Sequence, residues 1–99
     1  MLLHIGGGVS VPLASLICVL DARTLSADSR RLVERARQEH RYQGCPGAPR
    51  SYLVLLGRHG RETVYESVIA PATLQRRWKS ACLHEQLQEL AVLSVTAAE

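Results

Sequence analysis

Phenylalanine is absent from this 99-residue chain, and tryptophan occurs once, at Trp78. With Tyr42, Tyr52 and Tyr65 it completes an aromatic set of only 4% of residues, yet 46% of the chain is hydrophobic. That is enough apolar material to build a core and argues against disorder. The core must therefore be aliphatic, made of leucine, valine, isoleucine and alanine. At this length the chain makes one domain, not two. No stretch approaches the roughly 18 apolar residues of a membrane-spanning helix. The start lacks the basic residues of a secretory signal, and glycines interrupt its apolar stretch. Cys18, Cys45 and Cys82 are odd in number and widely spaced, which fits reduced thiols and not a disulfide framework. These absences predict a cytoplasmic protein with no membrane partner.

Lysine is nearly absent as well: Lys79 stands alone among 12 basic residues, the rest being arginine. Residues 80–99 hold Glu85, Glu89 and Glu99 and no Lys or Arg. Residues 1–79 therefore carry all 12 bases against the other six of the 9 acids, a local charge of +6 within a total of +3. A basic body suits a polyanion, and the guanidinium fork suits phosphate better than an ammonium does.

Motifs of catalysis and metal binding are also missing. "HIGGGVSV", residues 4–11, holds three consecutive glycines but no dinucleotide fingerprint and no P-loop lysine, and it leads into a strand instead of a helix N-terminus. A hairpin turn using positive φ is the reading that remains. Cys82 and His84 stand two apart, with Cys18, Cys45, His4, His40 and His59 scattered elsewhere. Neither a C-x-x-C nor an H-x-x-x-H pair occurs, so no metal site is expected. There is no strained nucleophile elbow, and no pair of carboxylates is set for acid–base work. No catalytic residue, cofactor or small-molecule substrate is assigned, and the chain is read as a non-enzyme.

The hydrophobic pattern outlines the fold. Leu3, Ile5, Val9 and Val11 share one parity across the glycines, with His4 and Ser10 on the other, as in a hairpin. "SLICVL", residues 15–20, reads as a strand covered on both faces, either within the chain or by a neighbouring subunit. Ser26 is an N-cap candidate and Asp28 suits a first helical turn. In the helix that follows, Leu32, Val33, Ala36 and His40 fall on one face, and Arg30, Arg31 and Arg35 lie outside it. "YQGCPGAPR", residues 42–50, is a loop by composition. "SYLVLLG" and "TVYESVI" form a hairpin around "RHGRE". A last helix starts near Pro71, a residue tolerated in a first turn. Its stripe Leu74–Trp78–Ala81 gives way to a second stripe, Leu83–Leu87–Leu90, rotated by roughly half a turn. Either the helix breaks near Cys82 or it passes between two apolar surfaces. The whole is α+β: a small antiparallel sheet with two helices, in the order ββ(β)αββα.

"HIGGGVSVPLASLICVLD", "PRSYLVL" and "VYESVIAPATLQRR", in this order, resemble the bacterial extracellular-matrix regulatory protein family of the RemA/RemB type, closer to RemB. The resemblance covers residues 1–77, with 78–99 as a helical extension. It implies a transcriptional regulator of biofilm-matrix genes that binds double-stranded DNA as a ring-like homo-oligomer, with rim arginines on the phosphates. The family's arginine pair before the third main strand falls here at Ala48 and Pro49, beside Arg50, and another falls at about Ser15. The arginines expected to touch DNA in this chain are Arg50, Arg76, Arg77, Arg30 and Arg31. The expected oligomer interface is Leu16, Ile17, Val19, Leu83, Leu87 and Leu90. The alternative is an oligomeric protein-interaction module that leaves DNA alone.

Overall fold

The computed structural model describes residues 1–98, with side chains as far as Ala91. The element order is β1 (Leu2–His4), β2 (Ser10–Pro12), β3 (Leu16–Asp21), α1 (Ala27–Gln38), β4 (Tyr42–Gln43), β5 (Ser51–Leu56), β6 (Glu62–Ser67) and α2 (Pro71–Ala98). The fold is α+β. β1 and β2 pair as a separate hairpin, and the other strands form a four-stranded sheet in the order β3-β5-β6-β4.

That sheet is mixed, which corrects the antiparallel expectation. β3, β5 and β6 are antiparallel, but β4 runs parallel to β6, pairing Tyr42 with Val64 and Gln43 with Tyr65. β4 arises from side chains distant in sequence. The Glu66 carboxylate accepts from the Tyr42 hydroxyl and, at 3.0 Å, from the Cys45 N–H. The Val64 N–H donates to the Arg41 carbonyl at 3.0 Å. This clamp turns two residues of a loop-like sequence into a strand.

The three glycines are a strand-to-strand turn. Gly6, Gly7 and Gly8 have φ of 89°, 62° and 75°, the left-handed region that a Cβ makes costly. The Ile5 N–H donates to the Val9 carbonyl at 3.0 Å and closes the hairpin. Leu3, Ile5 and Val11 are buried, while His4 on the opposite parity is exposed and bonds the Ser10 hydroxyl.

Two cores lie on the two faces of the sheet. On one face Leu3, Ile5, Val11 and Leu13 meet Leu16, Val19, Leu53, Leu55 and Leu74. On the other, Val33 and Ala36 of α1 meet Tyr52, Val54 and Val64. Ser51 through Leu55 are all buried, because β5 is an inner strand covered on both faces.

Ser26 caps α1, its hydroxyl accepting from the Ser29 N–H at 3.1 Å. Asp28 in the first turn and Arg35 and Arg37 in the last complement the helix dipole. His40 does not belong to the buried face. It lies beyond the helix, exposed, at φ 59°. The His40 N–H donates to the Arg37 carbonyl and the Arg41 N–H to the Ala36 carbonyl at 2.8 Å. This is a Schellman ending with histidine in the position that glycine usually takes.

β3 is a sheet edge, and its own chain covers both of its faces. Leu16 and Val19 sit in the hairpin-side core, and Cys18 and Leu20 pack on the α1 side. Leu16 and Val19 are thus buried within this chain and are not available to a neighbour, which corrects their assignment to an oligomer interface. Of the three, Ile17 alone is exposed, at a register shift between Leu16 and Cys18.

α2 is unbroken from Pro71 to Ala98, so it does not break near Cys82. Leu74, Trp78, Ala81 and Cys82 pack on the hairpin-side core. The Met1 ammonium stands 3.5 Å from the Glu85 carboxylate. Leu83, Leu87 and Leu90 are exposed by 56%, 56% and 59%, so nothing described in this chain covers the second stripe.

Candidate nucleic-acid interface

The five arginines expected at DNA occupy three places. Arg30 and Arg31 lie on the outer face of α1, where they flank a shallow concavity with Ala27 and Glu34. Arg50 precedes β5 and is fixed through its backbone. Its N–H donates to the Ser67 carbonyl at 2.8 Å, and its carbonyl accepts from the Ala22 N–H at 3.1 Å. Its side chain is exposed. Arg76 and Arg77 stand on α2 and line a concavity with Met1, Thr73, Ser80 and His84. Arg76 Nη2 reaches Thr73 Oγ1 at 3.5 Å. Arg76 and Arg77 therefore share one site. Arg30 and Arg31 lie across the sheet from them, because α1 and α2 cover opposite faces.

The structure adds a basic group that no motif announced. One concavity is lined by Asp28, Arg31, Leu32, Arg35, Arg41 and Glu62. Another is lined by Arg41, Arg58, His59, Arg61 and Thr63, so Arg41 borders both. The tip of the β5–β6 hairpin, residues 57–61, has the expected five-residue length. The Gly57 N–H closes it by donating to the Arg61 carbonyl at 2.7 Å. A Cβ on Gly57 would stand 2.7 Å from Thr63 Oγ1 and 3.0 Å from that carbonyl, so the closure needs glycine. The readable signal was "RHGRE" itself, a tight turn that sets two arginines three residues apart.

Electrostatics separates structural arginines from available ones. Among the described residues only Arg31, Arg37 and Arg41 have side-chain carboxylate partners: Asp28, Glu34 and Glu39 respectively. Arg37 also donates to the Tyr42 hydroxyl at 3.2 Å and lies 4.8 Å from the Tyr42 ring centre. That hydrogen bond raises its pKa and commits it to the β4 clamp. Burial, followed by the hydrogen bond to Glu66, pushes the Tyr42 phenol well above its usual range, so it stays a donor. Glu39 is held below the usual carboxylate range, first by its hydrogen bond from Arg41, then by the charges of Arg41, Arg61 and Arg35. Of these, only Arg41 is in ion-pair contact with Glu39.

Burial raises the Cys18 thiol, and burial with the neighbouring Glu66 raises Cys45, so neither is an activated nucleophile. Among the described residues no three His, Cys, Asp or Glu side chains are grouped to hold a metal ion. No described helix is long and apolar enough to cross a membrane. Neither a scan of protein-family models nor a search of curated proteins gives a match to this chain.

Proposed function

We propose that this chain is a DNA-binding transcriptional regulator of extracellular-matrix genes, acting as a ring-like homo-oligomer through arginine–phosphate contacts. The observation that carries the binding chemistry is the surplus of exposed arginines without a carboxylate partner among the described residues. Arg50, Arg76 and Arg77 belong to that surplus. Guanidinium groups held on rigid elements and left unneutralised are suited to a phosphate backbone. The resemblance in residues 1–77 supplies the biological role. Contacts of this kind are individually weak, and repetition around an oligomer multiplies them through effective concentration.

Salt titration tests this reading. Duplex DNA affinity should fall linearly on a log–log salt plot, and the slope should shrink by about 1 for each phosphate-contacting arginine removed. Arg50→Ala with Arg76→Ala and Arg77→Ala should flatten the plot and weaken binding to all sequences alike. A wild-type chain that shifts no duplex at low salt rejects the proposal.

A second reading, an oligomeric protein-interaction module without DNA binding, is favoured by one feature. Leu83, Leu87 and Leu90 follow the 4-3 spacing of a helix-pairing seam on the side of α2 that faces away from its own core. Light scattering should report an oligomer at tens of micromolar, and Leu83→Gln/Leu87→Gln/Leu90→Gln should shift it toward monomer. A wild-type monomer under those conditions excludes the ring.

A further inference from the structure

The arginines fall into two groups that face away from each other. Arg76 and Arg77 stand on α2, which packs with the β1–β2 hairpin on one face of the four-stranded sheet. Arg31 and Arg35 stand on α1, which covers the other face. Arg41 borders α1 in one concavity and Arg58 and Arg61 of the hairpin tip in the next, and neither concavity includes an α2 residue. Packed layers lie about 10 Å apart, so a helix–sheet–helix sandwich puts its two outer faces about 20 Å apart at their axes, with side chains extending beyond. One straight backbone cannot follow both faces.

The second group is built, not scattered. The Schellman ending of α1 fixes the Arg41 backbone through Ala36, and the Val64 N–H holds its carbonyl. The Arg41 guanidinium is largely buried against Glu39, with Nη1 unpartnered among the described residues. The closed tip holds Arg58 and Arg61 in place. The acids nearby are Asp28, Glu39 and Glu62. Asp28 and Glu39 are engaged with Arg31 and Arg41, which leaves Arg35, Arg58 and Arg61 against the single carboxylate of Glu62, a surplus of positive charge for an outside anion.

We propose that Arg35, Arg58 and Arg61, grouped around the buried Arg41–Glu39 pair, form a second phosphate-backbone surface apart from Arg76 and Arg77, so that one subunit bridges two DNA duplexes. This rests on the reading of the chain as a DNA binder, and the test separates the two. Fluorescence anisotropy reads binding to one labelled duplex. Capture of that labelled duplex on beads carrying an unlabelled one reads bridging. Wild-type protein should do both. Arg58→Ala/Arg61→Ala and Arg76→Ala/Arg77→Ala should each keep single-duplex binding, weakened about tenfold or less, and lose most of the capture. All four side chains are exposed, and circular dichroism of each variant should match wild type.

Wild-type binding without capture overturns bridging and leaves DNA binding standing. Capture by Arg58→Ala/Arg61→Ala equal to wild type also overturns it, because repeated copies of one surface would then suffice. If that variant captures normally but loses affinity for polyglutamate, the surface belongs to an acidic protein and the proposal fails. No anisotropy change with wild type overturns the DNA reading and bridging together.

Discussion

Leu74→Ala is expected to lower the unfolding free energy by about 2–5 kcal/mol, read as a fall in the urea midpoint. Leu74 is 0% exposed and, among the described residues, is the one α2 residue in the fully buried part of either core. It belongs to a buried cluster that draws on β1, β2, β3 and β5, so its removal opens a cavity in the middle of that core. Trp78, Ala81 and Cys82 only pack against the margin of that core. A small domain holds about 5–15 kcal/mol in total, so the loss is a large share. The paired control is Leu83→Ala, on the same helix but 56% exposed, where about 0.5 kcal/mol or less is expected in a dilute chain. Equal costs at the two positions would show that the packing of α2 has been misassigned.

Ser67→Ala is expected to cost about 1–3 kcal/mol for each of the two backbone groups it leaves without a partner. Ser67 is 1% exposed. Its hydroxyl donates to the Ile5 carbonyl at 2.7 Å and accepts from the Ile69 N–H at 3.0 Å. One oxygen thus joins the end of β6, the glycine hairpin and the entry to α2. Ser51 supports the same corner by donating to the Ile69 carbonyl at 2.6 Å. The variant should also loosen the hairpin locally. Hydrogen exchange at the Ile5 amide, which closes the glycine turn, should accelerate more than exchange along β5. A cost under about 0.5 kcal/mol, with exchange unchanged, would mean that water replaces the hydroxyl at this corner.

The features legible in the sequence were those decided by neighbours along the chain. The parity of Leu3, Ile5 and Val11, the cap at Ser26, the five-residue tip and the start at Pro71 each need only a few adjacent residues. The illegible ones depend on distant partners. Tyr42 and Gln43 become a strand because Glu66, more than twenty residues later, clamps them, and no composition rule contains that clamp. Ser51 and Ser67 read as ordinary strand polars, and their burial follows from where Ile5 and Ile69 arrive. Leu16 and Val19 looked like candidates for a neighbour because β3 is apolar throughout, but the hairpin and α2 fold back over them. Arg35, Arg41, Arg58 and Arg61 lie in three separate segments, so their assembly appears only when α1 and the tip meet. His40 was placed on the helical face because periodicity carries no stop signal where histidine occupies a left-handed position.

α2 is also a lever. Its root is clamped at Leu74 and its fulcrum lies where Glu85 meets Met1. Leu90 stands about 24 Å beyond Leu74 along the axis, at about 1.5 Å per residue. A load on that arm turns about the fulcrum and is resisted at the root, in the turns that carry Arg76 and Arg77. A partner seated on Leu87 and Leu90, beyond the fulcrum, would therefore load the turns that carry Arg76 and Arg77.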